Sequence, residues 1–243
     1  MEKPITEQSL KNLTAVILAG GLGTRLRSVV ADRPKVLAEV LGRPFLAYLL
    51  DQVETAGIRQ VVLCTGHLGE QVEAVFGKSY GPMRLIYSQE TEPLGTAGAL
   101  RQALPLFDSD WALAMNGDSY CDTNLGNFWQ SHQSNGATGS ILLVEMPDTD
   151  RYGRVNLSSG GRVESFDEKG MNRGPGLINA GIYLLNRLLL GSIPSGRAVS
   201  IEREMFPLWV GSGIYGHQNK ARFLDIGTPE SYSIAERFFA SRL

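Results

Sequence analysis

The sequence predicts an α/β fold, with a mostly parallel central sheet flanked by helices and a β-rich second half. Three observations carry this. From Leu13 onward, short apolar runs rich in β-branched residues alternate with longer segments of helical periodicity, the pattern of βα units around a parallel sheet. In the second half the separating segments shorten to turns, as in SSGG at 158–161, so hairpins replace crossovers. The composition, 43% hydrophobic and 20% charged, is that of a globular chain and argues against disorder over most of its length.

Taken in order, residues 1–12 (MEKPITEQSLKN) have no apolar run and read as a flexible tail without an export signal. Strands are expected over 14–19, 60–65, 84–88 and 111–116, where the β-branched runs lie. Helices are expected over 44–56, 69–76, 96–104 and 125–134. Further on, 140–146, 154–157, 162–166 and 178–185 read as strands. A helix over 200–210, a strand through Ile214, another over 221–225 and a terminal helix over 229–241 complete the chain. The length suits one domain over 13–243, made of a first half at 13–135 and a second at 136–243.

A net charge of -2 and a pI near 6.0 provide no basic field for a phosphate backbone, so nucleic acid is excluded as an expected partner. No run reaches the roughly 18 apolar residues of a membrane span. The two cysteines, Cys64 and Cys121, lack ligand spacing and read as reduced buried thiols, which fits a cytoplasmic protein. His67, His132 and His217 are scattered and carry no expected chemistry.

The strand TAVILA runs directly into GGLGTRLRSVVADRPK. Gly20, Gly21 and Gly23 let backbone N–H groups approach phosphate oxygens, Thr24 adds a hydroxyl, Arg25 a planar fork and Lys35 a point charge. The P-loop spacing is absent. The dinucleotide fingerprint fails because Leu26 stands where its third glycine belongs, and 60–66 has no acidic residue closing the second strand. A purely structural loop remains open on spacing alone.

Two carboxylates end strands. NGD places Asp118 at the carboxyl edge of a parallel sheet, where open α/β folds bind ligands. Asp225, in FLDIGT, either starts the last helix or, if the fold brings it to Asp118, completes a hard-oxygen site suited to Mg²⁺. QETEPLGTAGAL follows a strand and opens a helix, with Gly95 and Gly98 permitting close approach by a flat ligand.

LAGGLGTRL followed by RPK resembles the signature of the sugar-1-phosphate nucleotidyltransferases, and the motifs above recur in family order from Leu13 to the C-terminus. The resemblance implies a Rossmann-like nucleotidyltransferase fold. It implies that Leu18, Ala19, Gly20, Gly21, Gly23 and Thr24 wrap the nucleotide phosphates, with Arg25 and Lys35 as catalytic cations. Val36 departs from the second proline that many members carry. Asn116 and Gly117 would join the nucleotide site, and Asp118 and Asp225 would hold Mg²⁺.

The base would be met by Glu90, Gly95 and Thr96. Glu90 stands where thymidylyl and uridylyl enzymes often present glutamine. A carboxylate can accept from both guanine N1–H and the exocyclic amine, which favours GTP. RYGRV, FDEKG and INAGIYLLN match the sugar side, where Gly153 gives backbone room, Glu168 holds hydroxyls, Lys169 grips the sugar phosphate and Asn179 orients the ring. Without those flanking motifs, Glu168 and Lys169 read as a solvated turn.

Within the family, PFLAYLLDQ, GPGLINAGIYLLN and SIEREMFP look most like the bacterial D-glycero-α-D-manno-heptose 1-phosphate guanylyltransferases. Mannose 1-phosphate guanylyltransferase, glucose 1-phosphate thymidylyl or uridylyl enzymes and a non-catalytic nucleotide-sensing subunit are the alternatives. The implied partners are GTP and a sugar 1-phosphate, and a homodimer is compatible with the family.

Overall fold

In the computed structural model the described residues are 10–21, 23, 25–26, 29–30, 32–167 and 174–241. Thr24, Glu168 and Lys169 therefore lie outside them, as do the first nine residues of the expected tail. The chain is already packed at Leu10–Asn12, a single 3-10 turn that buries Leu10 in the core.

Apolar alternation builds the sheet. In β1 (Thr14–Leu18), Ala15 and Ile17 enter one core layer and Val16 the other, because successive side chains point to opposite faces. A short pair, β2 (Glu39–Val40) and β3 (Arg43–Pro44), leads into α1 (Phe45–Thr55). There follow β4 (Gln60–Thr65), α2 (Gly69–Phe76), β5 (Ser79–Tyr80), β6 (Met83–Gln89), α3 (Gly95–Ala103), β7 (Trp111–Asn116), β8 (Ser119–Cys121) and α4 (Leu125–Ser134). The second half contributes β9 (Gly139–Met146), β10 (Val155–Leu157), β11 (Val163–Phe166), β12 (Gly176–Asn186) and α5 (Arg187–Ser192). It ends with α6 (Phe206–Trp209), β13 (Ile214–Asn219), β14 (Phe223–Asp225), α7 (Pro229–Ser233) and α8 (Ala235–Ala240).

The main sheet has the order β13-β9-β12-β7-β1-β4-β6-β5. Strands β7, β1, β4 and β6 run parallel. β12 then enters antiparallel to both β7 and β9, which mixes the sheet on that side. Helices α1, α4 and α8 bury one face, through residues such as Phe45, Leu49, Phe128 and Phe239. Helix α3 and the 201–209 segment bury the other, through Ala97, Leu100, Ile201 and Phe206. β1 is flanked by β4 and β7, whose chain connections leave it on opposite sides, so a crevice opens at their carboxyl ends.

Two expected helices are interrupted. The 200–210 segment begins as a wide π turn at Ile201–Met205, with Met205 N–H donating to Ser200 O at 3.2 Å, and becomes α-helical only at Phe206. Pro207 lacks the N–H that a continuous ladder would need there. The terminal helix breaks at Ile234, just after the Ser233 hydroxyl donates back to Glu230 O. The SSGG hairpin forms as expected, with β10 and β11 antiparallel. Cys64 and Cys121 are buried free thiols, and burial also holds His132 down to about 4, stacked on Trp129. No helix among the described residues is long and apolar enough to cross a membrane.

Candidate active site

A cleft of about 1040 Å³ opens at the carboxyl ends of the parallel strands. Leu18, Ala19, Gly20, Gly21 and Arg25 line it where β1 ends. Ala19 is held by its N–H to Cys64 O at 2.7 Å. A Cβ on Gly20 would come within 3.0 Å of Gly66 N, so this glycine is needed for the loop to cross the end of β4. Gly21 has nothing near its Cβ position among the described residues and is the open member. Gly23 turns the loop with φ +59° but does not line the cleft. Leu26 is fully buried, which is why the position cannot serve as a dinucleotide-fold glycine.

At the end of β7 the three expected residues diverge. Asn116 lines the cleft, and its Oδ1 is buried with no hydrogen-bond partner among the described residues. Gly117 is buried against the carbonyl of Leu18, 2.5 Å from where a Cβ would stand, and does not line the cleft, which counts against a direct nucleotide contact through its side. Asp118 faces Lys35, whose Nζ donates to Asp118 Oδ2 at 2.7 Å.

Asp225 reaches the same place because the expected strand over 221–225 forms as β14 and pairs with β8, a strand the sequence reading lacked. β14 runs antiparallel to β8 with Asp225 opposite Ser119, next to Asp118. Burial, and then the Asp118 charge, raise the Asp225 carboxyl above the usual range, while Lys35 and Arg25 oppose this. Asp225 does not cap the helix that follows. Its Oδ1 accepts from Gly227 N–H, and the cap of α7 is Thr228, which shares a reciprocal capping box with Ser231.

The two carboxylates fit a hard divalent ion, since both are oxygen donors and their mutual repulsion calls for a cation. No cluster of three or more acidic, histidine or cysteine ligands occurs among the described residues. Such an ion would therefore complete its shell from substrate phosphates and water, the habit of Mg²⁺.

The base segment is built differently from the expectation. A Cβ on Gly95, which has φ +70°, would stand 2.6 Å from Val199 O, and one on Gly98 3.2 Å from Arg197 O. The space that a Cβ would need is thus taken by the chain's own 197–199 segment, while Gly95 and Thr96 still line the cleft. The Val199 carbonyl also takes the N–H groups of Ala97 and Gly98, filling the start of α3. Gly95→Ala should lower the unfolding free energy by at least about 2 kcal/mol, combining left-handed strain with a clash against backbone. Chemical denaturation checks this, and an unchanged midpoint would contradict the packing account.

The Thr96 hydroxyl is likewise occupied, donating to Glu202 Oε2 at 3.0 Å and accepting from Ile201 N–H at 2.8 Å. Glu90 is half-buried at the cleft, its carboxyl raised by burial, and its Oε2 already accepts from Leu94 N–H at 2.9 Å. Its Oε1 faces the Gly20 turn.

On the far wall Gly153 lines the cleft with φ +64°. Asn179 lines it too, with Nδ2 donating to Tyr183 Oη at 2.9 Å and Oδ1 accepting from Gly181 N–H at 2.8 Å. These bonds pin it across the bulge where β12 slips against β9, and one amide N–H is left over among the described residues. Tyr152, Arg154, Glu202 and Arg203 also line the cleft without having been singled out. A signal existed for the last two, since a charged ERE triplet at 202–204 interrupts an apolar helical segment two positions after Ser200, whose hydroxyl accepts from Arg203 N–H.

Comparison with known proteins agrees with this geometry. The family profile described as nucleotidyl transferase matches residues 14–242. The chain is 35% identical over 226 residues to the D-glycero-alpha-D-manno-heptose 1-phosphate guanylyltransferase of Aneurinibacillus thermoaerophilus, covering 93% of this chain and 97% of that protein. It is 36% identical over 222 residues to the mannose-1-phosphate guanylyltransferase of Mycobacterium tuberculosis, 90% of this chain but 62% of that relative's length. The crystal structure of HddC from Yersinia pseudotuberculosis complexed with GMP-PN superposes with a TM-score of 0.82 at 33% identity, over 93% of this chain and 99% of the other. A glycine loop at the end of β1, a cation and two carboxylates at the next strand ends, and a profile matched over nearly the whole length lead to one conclusion: the chain belongs to the nucleotidyl transferase family.

Proposed function

We propose that this chain transfers GMP from GTP to a sugar 1-phosphate, D-glycero-α-D-manno-heptose 1-phosphate being the best-supported acceptor. The observation that carries the reading is the convergence of Lys35, Asp118 and Asp225 at the mouth of the glycine loop. Relatives named as heptose and mannose 1-phosphate guanylyltransferases support the choice of donor and acceptor. Mannose 1-phosphate is the second acceptor, because a mannose enzyme matches at a similar identity.

In the reaction a non-bridging oxygen of the sugar phosphate attacks the α-phosphorus of GTP, the bond to the β-phosphate breaks, and pyrophosphate leaves with its electron pair. The attacking phosphate is already anionic at neutral pH, so no general base is needed. The difficulty is bringing two anions together and holding them in line. Arg25 and Lys35 supply fixed positive charge at the loop, and Lys169 supplies it at the sugar phosphate. Asp118 and Asp225 would hold Mg²⁺, which supplies charge neutralisation between the two phosphates when bound. Gly20 and Gly21 let the loop lie against the triphosphate, and Asn116 borders it at the end of β7. Pyrophosphate release, measured for each nucleoside triphosphate against a panel of sugar 1-phosphates, tests donor and acceptor together. Turnover with UTP or dTTP but not GTP would overturn the guanylyl assignment.

Glu90 reads the base in this scheme. With Oε2 shared with Leu94 N–H, the carboxylate keeps Oε1 for the guanine donors. Glu90→Gln must turn an N–H₂ toward one of its donors, so the ratio of kcat/KM for GTP over UTP should fall by about tenfold or more. An unchanged ratio would move base reading to the backbone of the 94–96 segment.

A further inference from the structure

The cleft contains a carboxylate that the scheme above leaves unused. Glu202 sits on the π turn, where the second half of the chain touches the start of α3. Its Oε2 is held from two sides, by Thr96 Oγ1 at 3.0 Å and by Ser200 Oγ at 3.2 Å. Each hydroxyl is itself fixed by accepting a backbone N–H, from Ile201 and Arg203 respectively. The side chain is thereby locked in one rotamer, and Oε1 takes no hydrogen bond among the described residues. No Lys or Arg forms an ion pair with it among those residues, and nearby Arg197 is engaged by Glu204.

A preset, unpaired acceptor at a cleft wall suits a neutral hydroxyl donor rather than a phosphate, which its charge would repel. Its neighbour across the turn is Tyr183 of β12, whose phenol is pushed up by burial and then by the Glu202 charge. Tyr183 also anchors Asn179, whose remaining amide N–H is a donor on the same cleft. Acceptor and donor together match a hydroxyl that gives one hydrogen bond and takes another. The position also follows from strand order. With the base at the end of β6 and the phosphates at β1 and β7, a group beyond the phosphates lies over β12.

Resting on the transferase reading, we infer that Glu202 is a specificity-determining residue that accepts a hydrogen bond, through Oε1, from a ring hydroxyl of the acceptor sugar. Glu202→Gln keeps an oxygen for the Thr96 and Ser200 hydroxyls but offers a donor or a weaker acceptor to the sugar. The experiment measures steady-state constants of both proteins with heptose and mannose 1-phosphates and with mannose 1-phosphates lacking one ring hydroxyl at a time. The variant should lose about tenfold or more in kcat/KM for the intact sugar phosphate, with KM for GTP held within about twofold. One deoxy analogue should be poor for the native chain yet be used equally well by both proteins.

Unchanged sugar constants overturn the inference. So does a loss confined to GTP and reproduced by deoxyribose forms of the nucleotide, which would put the hydroxyl on the ribose. If the variant fails to fold, the native chain alone decides, because tolerance of every single hydroxyl deletion within about threefold also overturns it. No turnover by the native chain with any sugar 1-phosphate removes the transferase reading itself.

Discussion

Asparagine at position 225 should abolish divalent-ion-dependent turnover while making the ligand-free chain harder to unfold. The loss, at least about a hundredfold in kcat, follows because a neutral amide binds a hard cation far less well than a carboxylate. The gain in stability comes from the raised carboxyl of Asp225, which is costly to ionise beside Asp118 in a largely buried place. A carboxyl whose folded value lies above its unfolded one penalises folding increasingly as pH rises past the unfolded value, and fully above the folded value. That penalty fades as pH falls through the folded value and is gone below the unfolded value, about 3.9.

Asparagine removes the penalty and can keep the bond from Gly227 N–H. The variant's melting temperature without metal should therefore exceed the native one at neutral pH, and the two should converge in acid. Asp118→Asn should lose activity to the same degree. Calorimetry in chelator and pyrophosphate release over a range of Mg²⁺ concentrations measure both halves. Full activity at ordinary Mg²⁺ would sink the metal role, and a lowered neutral melting temperature would sink the burial account.

Loss of the Lys35 ammonium should cost more than about a hundredfold in kcat/KM, because it removes a charge-assisted contact to the substrate phosphates in a partly desolvated cleft. Lys35 is also the internal cation of the carboxylate pair. Its side chain is only 11% exposed and bridges to Asp118 at 2.7 Å. Lys35→Ala should thus lower the metal-free melting temperature as well as activity, since it leaves two neighbouring carboxylates without a partner. Arg25→Ala provides the contrast. Arg25 is exposed on the loop, so its loss should reduce turnover on the same scale and leave the melting temperature close to native. Equal thermal effects in the two variants would mean that Lys35 has no structural share, and near-native rates in either would remove that residue from catalysis.

Much of this site was legible in one dimension, because the signals are local. The strands at 60–65 and 111–116 match β4 and β7, since a buried parallel strand must be a continuous apolar run whatever surrounds it. The glycine loop, Lys35 and the NGD strand end are likewise readable, as each depends on a few adjacent residues. Tertiary structure alone decided what meets what. Lys35 and Asp118 lie 83 positions apart, and Asp225, at the end of the expected strand over 221–225, joins them only because that strand pairs with β8, whose three residues are too few to show any periodicity. Thr96 and Glu202, 106 positions apart, are joined by a hydroxyl that the sequence could equally have given to a ligand. Gly95 makes the same point. The letter records that no Cβ fits there, but only the packed chain tells whether a substrate or the Val199 carbonyl fills the space. Local propensity and periodicity follow from a residue's own covalent structure, whereas contact between distant segments is a property of the whole packed core.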